Sequence, residues 1–118
     1  MFELERELEN PTIEVYGVEL EFDVLNEETA QRLEEALAKV KLRTQKYSSK
    51  NKKLSKIINE QCEFVFDFFD EVFGEGTHNK IFGETKNLGH CLEAFRIVVS
   101  EIDAKSKEVS KGSFLDLN

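Results

Sequence analysis

The residue types able to do chemistry are few in this 118-residue chain. Two histidines, His78 and His90, and two cysteines, Cys62 and Cys91, carry the right atoms for zinc. Their spacing argues against it, because His90 and Cys91 are neighbours in sequence and neighbours on a helix point apart. A nucleophile or general base also needs an orienting partner, and the sequence sets none beside Cys91 or either histidine. Asp67, Asp70 and Glu71 lie at i, i+3 and i+4, on one helix face. Carboxylates so placed hold a hard cation or exchange protons when sunk in a cleft, but their sector is polar throughout and a solvated face is expected. The run Gly74-Glu75-Gly76 has neither the preceding strand nor the following Lys-Ser or Lys-Thr pair of a phosphate loop. No catalytic, cofactor-binding or metal-binding residue is therefore expected, nor a small-molecule substrate: the chain reads as a non-enzyme.

What it has instead is aromatic surface. The stretch "FVFDFFDEVFGEGTHNKIFG", residues 64–83, holds Phe64, Phe66, Phe68, Phe69, Phe73 and Phe82. From Ile57 to Phe73 the apolar residues fill a helical arc of about 200°, wider than the roughly 100° stripe of a helix packed on one side. Glu60, Glu63, Asp67, Asp70 and Glu71 take the remaining sector, and Gln61 alone is polar on the apolar side. Such a helix must be central, with contacts on two sides, or must offer surplus aromatic surface to another molecule.

The elements around it can be read from period and punctuation. Residues 12–25, "TIEVYGVELEFDVL", alternate apolar and acidic, with Ile13 and Val15, then Val18, Leu20, Phe22 and Val24 on one side. Gly17 resets the phase, so a tight turn or bulge stands there; one hairpin or one bent strand fits, and Pro11 suits the start. Asn26 caps a helix over 27–47 whose stripe is Ala30, Leu33, Ala36, Leu37, Val40, Thr44 and Tyr47. After "YSSKNKK", with Ser49 or Ser55 as cap, the aromatic helix covers 55–73. A short helix over 77–82 is capped by Thr77 and closed by Gly83. Thr85 or Asn87 caps the last, 87–107, with the stripe Leu88, Cys91, Leu92, Phe95, Val98, Val99 and Ile102; Ile97 falls outside it and His90 opposite it. The fold class is α+β, mostly helical: an N-terminal β-hairpin, then three long helices and one short one, as a single domain over 1–118. The ends, 1–11 and 108–118, are expected to be flexible, with Phe114, Leu115 and Leu117 either packing back or dangling.

Composition bounds the partners. A net charge of -8 argues against nucleic acid. No apolar run reaches the length of a membrane span, and the acidic N-terminus lacks the features of a signal peptide, so a cytoplasmic location is expected. Free, buried cysteines are expected, with a disulfide as the alternative. Charge is segregated: residues 39–56 hold eight Lys or Arg and no carboxylate, and residues 60–75 hold six Asp or Glu and no cation. These read as two solvated faces that attract each other, or as a basic strip for docking a partner.

The segment from Cys62 to Val99 resembles a family of small acidic proteins from tailed phages and prophages of Gram-positive bacteria. The likeness rests on Phe68-Phe69-Asp70, Phe73 with Gly74-Glu75-Gly76-Thr77, Ile81-Phe82-Gly83, Asn87-Leu88-Gly89, and Cys91-Leu92 with Ala94-Phe95. The strand "YGVELEFDV" before the first helix matches the layout too, and the likeness spans roughly residues 12–102. The resemblance implies a tail assembly chaperone in the cytoplasm of a bacterial host. Such a protein coats the tape measure protein, keeps it soluble and helps recruit tail tube subunits. It implies partners but no catalytic residue, and His90 sits where the family varies. A structural tail completion or connector component, retained in the virion, is the alternative. Phe64, Phe68, Phe69, Phe73 and Phe82 are the candidate partner-binding residues, and a homo-oligomer is a further candidate state.

Overall fold

The computed structural model describes residues 12–23 and 25–110. Strand β1, Thr12–Val15, pairs antiparallel with β2, Val18–Glu21, in a two-stranded sheet. Ile13 faces Leu20 and Val15 faces Val18 across the ladder, so one face is apolar and packs inward. Glu14 faces Glu19 on the other. The hairpin, not the bent strand, is what forms. Its two-residue turn needs positive φ at both central positions to match strand twist, and Tyr16 (52°) and Gly17 (81°) supply it. Glycine adopts such angles freely and tyrosine does not. The Tyr16 hydroxyl offsets this by donating to Glu93 Oε1 at 2.6 Å, with the His90 carbonyl oxygen also at 3.2 Å.

Helix α1 runs Glu27–Lys46, α2 Leu54–Phe73, α3 Thr77–Phe82 and α4 Leu88–Ser110. Asn26 caps α1 as expected, its side chain accepting from the Thr29 amide at 3.1 Å, and Glu27 and Glu28 suit the positive end of the helix dipole. The residue at the N-cap of α2 is Lys53, with no side-chain cap bond, and neither Ser49 nor Ser55 serves. For α3 the cap is Gly76 in the left-handed region, φ 90°; Thr77 lies inside the helix, buried, its hydroxyl donating to the Gly74 carbonyl at 2.6 Å. Gly83 closes α3 as expected. The Asn87 side chain accepts from the His90 amide at the start of α4, and α4 runs on to Ser110, past the expected end at 107. Expectations for residues 1–11, Val24 and 111–118 lie outside the described residues.

Helix α2 is the centre. Helix α1 lies antiparallel along one side of it and has no other substantial neighbour among the described elements; α4 and α3 cover other sides, and β1 packs on α4. Helices α2 and α4 run the same way, since Cys62 neighbours Cys91 and Phe68 meets Phe95 about 6–9 Å further along each helix. The small residues Cys91 and Ala94 and the branched Val98 and Ile102 form the fully covered line of α4. Leu92, expected in that stripe, is 44% exposed, and Ile97, expected outside it, is packed on the core. Small side chains let two helices approach closely, and that moves the seam from Leu92 to Ala94.

Candidate protein-binding interface

The structure divides the five candidate phenylalanines. Phe68 and Phe69 are 1% and 0% exposed and belong to the core, Phe68 reaching only the floor of a groove against α1. The reason is the cover predicted as one of two options for a wide stripe. Phe69 meets Phe68 edge-on at 5.6 Å, stacks on Phe73 at 5.9 Å and meets Phe82 at 5.7 Å, while Phe68 meets Phe95 at 4.8 Å. Phe73 and Phe82 are half-buried at the margin, Phe73 against Phe22 at 5.8 Å and Phe82 stacked on Phe66 at 5.3 Å. These four rings form one cluster, and Phe64 stands apart.

Phe64 has a different cover. The Arg43 guanidinium lies over its face, 4.2 Å from the ring centre, and Tyr47 meets it edge-on at 5.7 Å. Arg43 also bonds Asp67 at 2.7 Å, and one turn away Lys39 bonds Glu71 at 3.0 Å. Lys52 bonds Glu60 at 2.9 Å and lies over the Tyr47 ring, whose hydroxyl donates to Glu60 at 3.0 Å. The segregated charges are thus brought together as a ladder between antiparallel α1 and α2. The bond from Lys52, ahead of that from Tyr47, holds the Glu60 carboxyl below its ordinary range, and the same carboxylate raises Lys52. Burial first, and the bond to Glu60 second, raise Tyr47. Below the ladder runs an apolar groove of about 140 Å³, lined by Ala36, Val40, Leu42, Phe64 and Phe68 under Lys39 and Arg43. A second opening, about 370 Å³, lies beyond Phe64 between Tyr47, Lys52 and Glu63.

The residues with chemistry are dispersed. Asp67 and Glu71 are taken by α1, and Asp70 turns to α3. There it accepts from the His78 amide at 2.9 Å and lies 2.8 Å from His78 Nδ1. The His78 ring stacks on Phe66, centres 4.5 Å apart. This bracket fixes the turn between α2 and α3; the sequence offered no periodic signal for it. His90 is exposed beside Tyr16. Cys62 and Cys91 are both free and buried. Burial first, and the neighbouring Cys62 second, push the Cys91 thiol up to about 12, far from the thiolate form that reacts. Among the described residues no cluster of three or more His, Cys, Asp or Glu could hold a metal ion. Among them, too, no helix is long and apolar enough to cross a membrane.

A family model, DUF6673, described as a family of unknown function, matches residues 16–114. The chain belongs to this family. Within this DUF6673 member the matched span begins at the hairpin turn, Tyr16, and takes in all four helices with the whole aromatic cluster. Neither curated proteins nor solved structures provide a match.

Proposed function

We propose that the chain is a non-enzymatic protein-binding factor of phage tail assembly, acting in the bacterial cytoplasm. It binds the tape measure protein and aids recruitment of tail tube subunits. The observation that supports binding is the groove along α1 and α2: an apolar floor reaching Phe64, roofed by side chains rather than by backbone. Long charged side chains move aside at small cost, since exposed ion pairs contribute about 0–1 kcal/mol. Water released from the floor then favours an apolar partner by roughly 25 cal/mol per Å². The net charge of -8 keeps the free protein apart from its own copies. The choice of partner rests on the resemblance of residues 62–99 to tail assembly chaperones.

Co-expression with the tape measure protein of the same genome tests this. The expected result is a soluble complex that co-purifies, with the chain itself missing from finished virions by mass spectrometry. Two soluble proteins that never associate would sink the reading, and stoichiometric presence in virions would replace it with a structural tail component.

A further inference from the structure

The far end of the α1–α2 pair, residues 46–56, is the one strongly cationic region of an acidic chain. Among the described residues Lys46, Lys50 and Lys53 form no ion pair, while Lys52 is taken by Glu60, whose charge Lys56 also faces. Between them stands Leu54, 71% exposed, the most exposed of the large apolar side chains described. The loop is a defined turn: Asn51 holds φ 60°, a conformation asparagine tolerates, and the Lys52 amide donates to the Ser49 carbonyl at 3.1 Å. The opening beside Phe64 lies immediately behind, between Tyr47, Lys52 and Glu63.

We infer that this tip is a docking surface for an acidic, amphipathic protein segment, whose carboxylates meet Lys46, Lys50 and Lys53 while an apolar side chain covers Leu54. Charge complementarity selects the acidic segment, and Leu54 selects an apolar anchor. Nucleic acid fits poorly, because stacking needs an open ring face. Here the Tyr47 ring, the one aromatic within residues 46–56, is covered by Lys52, which Glu60 holds in place.

The test titrates the full-length, isotope-labelled protein with a synthetic helix carrying Glu on one face and Leu on the other, and with its Lys-for-Glu counterpart. Amide shifts should concentrate in 46–56 and near Phe64 with the acidic helix and be absent with the basic one. K50E/K53E and Leu54→Asp should each weaken binding about tenfold or more at low salt. K80E/R96E, with the same change in net charge elsewhere, should bind as the parent does. An unshifted tip, an equal loss in K80E/R96E, or a tip that responds instead to a DNA duplex or to rising protein concentration overturns the inference. With the tape measure protein as a second probe, capture that K50E/K53E abolishes supports both readings. Capture indifferent to K50E/K53E removes the tip and leaves the tail-assembly reading. No capture by the parent, with the acidic helix still docking, does the reverse.

Discussion

Two sets of residues along α2 carry the same kind of side chain and treat it in opposite ways. In the C-terminal half, Phe66, Phe68, Phe69 and Val72 are covered by rings and aliphatic groups from α3, α4 and the hairpin. On the side of α2 turned to α1, Phe64 is covered by a guanidinium and a tyrosine, and Leu54, at the first position of α2, by nothing described. Residue type does not separate core from surface here; what crosses the helix does. Tightly packed neighbours from several elements seal one set, and flexible side chains from α1 shade Phe64 in the other.

Substitutions should break that contrast in order of size. Phe69→Ala should cost about 3–5 kcal/mol, by lost transfer energy plus a cavity, and Phe69→Asp more, through a buried unpaired charge. Urea melts measure it, and a loss below about 1 kcal/mol would show that the cluster is not the core. Phe64→Ala, in the other set, should cost only about 1–2 kcal/mol and spare the fold, while weakening partner capture. A loss as large as at Phe69 would erase the distinction. Arg43→Met keeps much of the cover and removes the charge, so its cost should stay under about 1 kcal/mol and shrink further in high salt.

Two chemical probes sharpen the same contrast. Cys62 and Cys91 should resist a thiol reagent at pH 8 in the native state and react together once urea opens the core; fast native labelling of either would contradict their burial. The smallest effect is expected at Tyr16. Partial burial first, and the bond to Glu93 second, push its pKa up to about 12 from 10.0. The folded state therefore holds the phenolic proton more tightly than the unfolded chain does. The stabilisation is whole below pH 10 and fades as pH rises from 10 through 12. Tyr16→Phe should lose that component of alkaline unfolding, as seen by melts between pH 9 and 12; an unchanged profile would mean the bond to Glu93 is not made in solution.

Much of the architecture could be read from period alone. Alternation in 12–25, although the ladder itself ends at Glu21, and the wide arc of 57–73 each named an element and its covered side, and Asn26 and Gly83 marked ends through their side chain and φ. What could not be read were contacts without period. Tyr16 reaches Glu93 across 77 positions, and Asp70 brackets His78 around two glycines. Leu92 was placed in the α4 stripe by hydrophobicity, whereas closeness to α2 favoured Ala94. Of the candidate site, the aromatic composition was legible, but not which rings the fold would seal, because α1, α3 and α4 all compete to cover one helix.

The attachment of α1 to α2 alone has a consequence for how the molecule breathes. A helix held along one seam, by Leu33, Ala36 and a few charges, can peel away while α2, α4 and the hairpin stay shut. Backbone amides of α1 should therefore exchange with deuterated solvent sooner than those of α2, and each such opening would bare the ring of Phe64 for an instant.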